Sequence, residues 1–170
     1  MGLHNRHPIR HFCPSAQAAG VEMSKGAVAE RVGEAGATRR QCAALPITYQ
    51  IGAPRIVLVT SRETRRWVIP KGWIEPGELP HRSATREAFE EAGIEGDADP
   101  DPIGSFGYTK RKARGVLLPC EVLVYRLRVT RLLADWPERL ERERRLVTPA
   151  EAAGMVEEPE LARLFRDLAV

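Results

Sequence analysis

Between Pro70 and Ile94 the chain reads PKGWIEPGELPHRSATREAFEEAGI, placing Glu87, Glu90 and Glu91 within one short stretch. On a helix, residues three and four apart are neighbours, so these carboxylates share a face, and each like-charged pair costs a few tenths of a kcal/mol. Acids in a last turn also oppose the helix dipole. Local rules thus disfavour the arrangement twice. A solvated acidic face is the bland reading. The chemical one is a cluster of hard oxygen ligands beside a loop carbonyl, which is what Mg²⁺ or Mn²⁺ asks for when it bridges protein carboxylates to substrate phosphates.

The elements that would position these acids follow from the flanking residues. Pro80 opens a helix and Gly93 closes it, as proline in a first turn and glycine past a last turn usually do. At about 100° per residue, Ala84, Ala88 and Ala92, with Phe89 at the margin, form its buried side. Glu87, Glu90 and Glu91 fall opposite, within an arc of roughly 100°, with Arg86 flanking Glu90. The small alanines let the helix lie close on a sheet, and the Gly-Trp-Ile-Glu-Pro-Gly-Glu loop feeds directly into it. Upstream, LPITYQI, RIVLVTS and RRWVIPKGW read as three strand-like segments separated by turn residues. Downstream, GDADPDP reads as a turn-rich loop, and IGSFGYTKR and VLLPCEVLVYRLRVTRL as a strand pair joined by a basic KRKARG turn. PERLERERRL reads as an exposed loop or short helix. TPAEAAGMV starts a helix with Thr148 as cap, Pro149 behind it and Glu151 as capping-box partner, and a last helix covers roughly residues 157–168. Strands with one helix between them and helices at the end imply an α/β or α+β sandwich, helices covering both sides of a mixed sheet.

The spacing from Gly72 through Glu78, Arg86, Glu87, Ala88, Glu90, Glu91 and Gly93 to Ile94 matches every fixed position of the Nudix box, with Ala88 as a small residue at its aliphatic position. The chain therefore resembles the Nudix hydrolases. That resemblance implies an α/β/α sandwich with a mixed sheet and metal-dependent cleavage of a diphosphate linked to another moiety. It also implies Glu87 and Glu91 as metal ligands, a carbonyl at Lys71 or Gly72 completing the metal shell, and Glu90 as general base or further ligand. Arg86 would orient the carboxylates and Glu78 brace the loop. The flanks, TSRETRRWVIPKGWIEPGE, KRKARG and VTRLLADWPERLERERRLVTPAEA, resemble the diphosphoinositol polyphosphate phosphohydrolase branch, whose members also cleave diadenosine polyphosphates. Lys71 departs from that branch, which usually carries glycine there, and PKG is more similar to dinucleoside polyphosphate hydrolases.

Multiply charged phosphate chains suit a cluster of cations, arginine above all because it grips phosphate bidentately. Lys110, Arg111, Lys112 and Arg114 crowd one turn, and Arg62, Arg65, Arg66 and Lys71 belong to segments expected at the same end of the sheet. Arg62, Lys71, Arg111 and Arg114 are the candidate substrate contacts, and the resemblance adds Arg144 or Arg145, with Arg145 as the candidate contact. A solvated hairpin turn is the alternative for the basic cluster. Trp67, Trp73 and Trp136 could stack on a base or serve as boundary residues. Hydrolysis of nucleoside triphosphates, nucleotide sugars or a capped RNA end, and a non-catalytic nucleotide sensor, are the competing functions.

Composition narrows the partners. The 170 residues suit one domain, long enough for a full core. Residues 1–46 carry six Lys/Arg against three Glu, and the rest of the chain carries twenty of each sign. A neutral body argues against DNA and long RNA as partners; the expected partner is a small polyphosphate. No apolar run approaches the roughly 20 residues of a membrane helix. Cys13, Cys42 and Cys120 form no CxxC pair, which suits a reducing, cytoplasmic setting. Residues 1–44, rich in Ala, Gly, Arg and Ser, read as an extension ahead of a 45–170 domain. Their His4, His7, His11 and Cys13 lack a scaffold to hold metal geometry. The opening is similar to a transit peptide, and translation starting at Met23 is the alternative.

Overall fold

The computed structural model describes residues 38–111 and 115–168. The strands are β1 (Arg39–Gln50), β2 (Ala53–Thr60), β3 (Trp67–Val68), β4 (Lys71–Trp73), β5 (Ile94–Arg111), β6 (Leu117–Leu132) and β7 (Arg144–Val147). The helices are α1 (Pro80–Ala92), between β4 and β5, then α2 (Pro149–Met155) and α3 (Pro159–Asp167) after β7. The sheet runs β3-β2-β1-β6-β5, with β4 pairing β1 and β7 pairing β2. It is mixed: β1 and β6 are parallel, and the other pairs antiparallel.

Side chains of a strand alternate between faces, and β1 shows the consequence. Cys42 and Ala44 pack under α1 with Val57, Val59, Ala84, Ala88 and Ala92, whereas Ala43, Leu45 and Ile47 join Leu58, Phe106, Leu161 and Phe165 on the side of α2 and α3. The α/β/α sandwich implied by the sequence is therefore the architecture. Buried on both faces from Gln41 to Ile47, β1 has no polar face to alternate with there.

Three features depart from the sequence expectation. Strand β1 begins at Arg39, six residues before Leu45, because Arg39 to Ala44 pair in parallel with Cys120 to Tyr125; that polar and alanine-rich stretch carries no apolar signal. RRWVIPKGW is two strands, not one. At Pro70 the chain leaves β2 for β1, and the Pro70 carbonyl accepts from the Ala44 N–H at 3.0 Å. GDADPDP is not a loop but part of β5, paired to β6 with register shifts between Glu95 and Gly96 and on either side of Pro102. An edge strand tolerates proline and bulges that a central strand would not. The histidine cluster, Met23, Lys112 and Arg114 lie outside the described residues.

Candidate active site

Helix α1 is built against local convention. Leu79 stands at its N-cap with no side-chain hydrogen bond, no acid occupies its first turn, and two of its three closely spaced glutamates sit in its last turn. It ends at Gly93, whose φ of 61° is a left-handed conformation that glycine adopts without steric cost. Ala84, Ala88 and Ala92 are fully buried against the sheet. Phe89 is 41% exposed, so the margin of the buried face lies short of it. Glu87 and Glu91 are largely shielded from bulk water, and Glu90 stays partly open. They turn toward β4 and residues 133–143, and Glu91 is only 6% exposed.

Each carboxylate is held from a different direction. A Cβ on Gly72 would overlap the Glu87 carboxyl group, so only glycine allows β4 to pass so close to it. Arg86 Nη1 lies 2.9 Å from Glu87 Oε1 and 3.1 Å from Glu90 Oε2, and its Nε lies 3.5 Å from Glu78 Oε2. Ser83 Oγ also donates to Glu78, at 2.6 Å, tying the loop before α1 to the helix. Glu91 Oε2 accepts from the Lys71 N–H at 3.0 Å, and its Oε1 from Arg142. Burial pushes the Glu91 carboxyl up to about 7 against the pull of Arg142. Burial likewise raises Glu87, opposed by Arg86. Negative charge that the protein leaves partly uncompensated, on hard oxygens, fits a divalent cation. Among the described residues no three His, Cys, Asp or Glu side chains form a ready cage, and Mg²⁺ commonly takes one or two carboxylates plus substrate phosphates.

The opposite wall is basic and aromatic. Glu87, Glu90 and Glu91 line one cleft of about 780 Å³ with Arg62, Arg66, Lys71, Tyr108, Lys110 and Arg111, a volume in the range of ligand sites. Lys71 Nζ lies 4.7 Å from the Tyr108 ring centroid, and Lys110 Nζ 5.4 Å from that of Trp73. Burial lowers the Lys71 ammonium. Tyr108 donates to Gln41 Oε1 at 2.7 Å. The arginines of RETRR are less free than a basic cluster suggests: Arg62 pairs with Glu138 and Glu141, Arg65 with Glu143, and Arg66 with Glu158.

The NUDIX domain family model matches residues 38–168. The chain belongs to the Nudix family. Among curated Nudix relatives, it is 37% identical over 100 residues to Nudix hydrolase 12, mitochondrial, of Arabidopsis thaliana, covering 57% of this chain and 49% of that one. It is 38% identical over 84 residues to diphosphoinositol polyphosphate phosphohydrolase 3-beta of Bos taurus, covering 49% and 46%. The chain thus spans about half the length of these relatives. The Nudix fold recurs in a C. elegans Ap4A hydrolase at TM-score 0.57 and 19% identity, covering 78% of this chain and 97% of that one. A NUDIX hydrolase from Nitrosomonas europaea superposes at 0.60 with 17% identity, covering 77% and 88%.

The Nudix box brings Gly72, Glu87, Glu90 and Glu91 together, with Arg86 between the first two glutamates of α1, and Arg62, Lys71 and Arg111 reach the same cleft. Arg145 does not line it. Alternation along β7 turns Arg145 to the Trp67 ring, 5.0 Å from its centroid, while Arg144 takes the other face over Trp136. The sequence reading missed Arg142, Glu138, Gln41 and Tyr108. Arg142 and Glu138 sit at i,i+4 within PERLERERRL, a spacing that marks them as a pair but not as neighbours of α1.

Proposed function

We propose that this Nudix protein is a metal-dependent pyrophosphohydrolase cleaving a diphosphate linkage in a small polyphosphorylated molecule, a diadenosine polyphosphate or a diphosphoinositol polyphosphate. One observation carries the reading: the buried carboxylates and the wall of Lys71, Lys110 and Arg111 face a single cleft. Glu87, Glu91 and the Gly72 carbonyl would hold Mg²⁺ or Mn²⁺. Bound there, the ion would supply positive charge to the phosphate oxygens and ease deprotonation of water. Glu90, whose side chain at 40% exposure is the most open of the three, would take the proton from the attacking water, and Arg86 keeps its carboxylate aimed. Lys71, Lys110 and Arg111 hold the remaining phosphates. Phosphoryl displacement is mostly positioning and electrostatics, which suits a cleft built from carboxylates and cations.

The test sets diadenosine polyphosphates, diphosphoinositol polyphosphates, nucleotide sugars and nucleoside triphosphates side by side with Mg²⁺ or Mn²⁺, identifying products by mass. Glu90→Gln should fold normally and lose about 10²–10⁴-fold in turnover, the usual contribution of a positioned base. Unchanged turnover in that variant overturns the role of Glu90. Cleavage of nucleoside triphosphates or nucleotide sugars alone overturns the substrate class. Tight nucleotide binding without turnover replaces the enzyme with a sensor.

A further inference from the structure

The last turn of a helix leaves its carbonyls without partners; in α1 the Gly93 N–H serves that of Phe89, and a single distant segment serves the rest. Glu138 N–H donates to the Glu90 carbonyl at 3.1 Å and Leu133 N–H to that of Gly93 at 2.8 Å. Trp136 Nε1 donates to the Glu91 carbonyl at 3.2 Å, and Arg144 Nη1 to that of Ala92 at 2.7 Å. A Cβ on Gly93 would meet the Trp136 ring at 2.9 Å, so segment and helix end are in close contact. Residues 133–144 therefore grip the helix at the turn that bears Glu90 and Glu91.

Arg142 extends that grip to a side chain. Its side chain is 6% exposed, and its guanidinium reaches three elements: Glu91 Oε1 on α1, Glu138 Oε2 in the segment, and the Thr60 carbonyl at the end of β2 at 2.9 Å. With Oε2 held by the Lys71 N–H, both oxygens of Glu91 are fixed by donors from different parts of the chain. A buried ion pair adds little net stability compared with apolar residues of the same volume. Orientation is the better account of why so many donors converge on one carboxylate.

We propose that Arg142 is a positioning residue, acting through Glu91 and Glu138 to fix how the Glu91 carboxylate presents its remaining lone pairs to the cleft. It sets turnover more than substrate affinity. This rests on the reading of the cleft as a metal-dependent hydrolase. Partners one shell removed from a metal ligand usually affect metal affinity or activity by about 10–100-fold. Lysine carries the charge but not the planar fork that spans three acceptors.

The experiment compares full-length wild type, Arg142→Met and Arg142→Lys by steady-state kinetics on the best panel substrate, by Mn²⁺ titration followed by electron paramagnetic resonance, and by thermal melting. For Arg142→Met the expected result is a kcat lower by about 10–100-fold, KM within about threefold and Mn²⁺ affinity weaker by about tenfold, with lysine recovering part of each. A folded Arg142→Met protein that melts earlier but keeps kcat and Mn²⁺ affinity within about twofold overturns the proposal and leaves a purely structural ion pair. If methionine prevents folding, Arg142→Lys decides: a loss of about threefold or more in both kcat and Mn²⁺ affinity supports positioning, and a smaller loss overturns it. A wild type that neither binds Mn²⁺ nor hydrolyses any diphosphate overturns the hydrolase reading and this proposal with it.

Discussion

Helices α1 and α2 place their acids at opposite ends, and only one of them obeys local rules. In α2, Glu151 sits in the first turn and completes a capping box: Thr148 Oγ1 accepts from the Glu151 N–H, and Glu151 accepts from the Thr148 N–H at 2.8 Å. The dipole, the cap and the side chain all favour that placement. In α1 the acids gather in the last turn, where dipole and mutual repulsion oppose them. What local chemistry withholds from α1, the rest of the molecule supplies: Arg86 and Arg142 against the carboxylates, four donors from residues 133–144 on the final carbonyls, and close alanine packing beneath. A helix that explains itself locally is a structural element. One that needs support from β2, β4 and a segment some forty residues downstream is carrying a site.

The outside support of α1 is most sensitive at Gly72. Gly72→Ala forces β4 and the Glu87 carboxyl apart, and small misplacements at a reacting centre cost about 10²-fold. Turnover should fall by about that factor, with KM less affected. A folded alanine variant with wild-type kcat would mean that Glu87 does not depend on this close approach.

The alanine floor of α1 comes next. Ala88 is fully buried over Cys42, Ala44 and Val57, and Ala88→Leu lifts the helix from the sheet at a cost of about 1–3 kcal/mol, the usual range for overpacking. Urea unfolding measures the loss. Because Glu87 and Glu91 flank that position, activity per folded molecule should fall as well, which no substitution in α2 should cause.

That division also explains what was legible in the sequence. The box, the helix between Pro80 and Gly93 and the capping box at Thr148 are local patterns, readable from residues a few positions apart. Arg142 meets Glu91 across 51 positions, and nothing local distinguishes it from the other arginines of PERLERERRL. The proline and aspartates of GDADPDP spell a loop by composition and become a strand only because β5 lies at the sheet edge. Arg145 was misplaced for a related reason: the two-residue alternation of β7 decides which of Arg144 and Arg145 faces α1, and a charge-rich run gives no register. Cys42 carries no local sign of its setting either. Burial under α1 pushes its thiol up to about 12, so it behaves as a small core residue.

The smallest expected effects lie in α2, and they test whether its acid is the ordinary one. Removing the cap by Thr148→Ala should cost about 1 kcal/mol and leave kcat and KM unchanged. Glu151→Ala separates the charge from the cap. Hydrogen bonds from the Thr148 backbone and hydroxyl hold the Glu151 carboxyl below its usual value of 4.5. A carboxyl lowered on folding stabilises the folded state fully above its unfolded pKa, and loses that contribution as pH falls through the folded one. Wild type should therefore melt above Glu151→Ala at neutral pH, the difference shrinking as the medium is acidified below 4.5. A gap that stays constant across that range would show that Glu151 supports α2 by packing alone, and the electrostatic half of the contrast with α1 would fail.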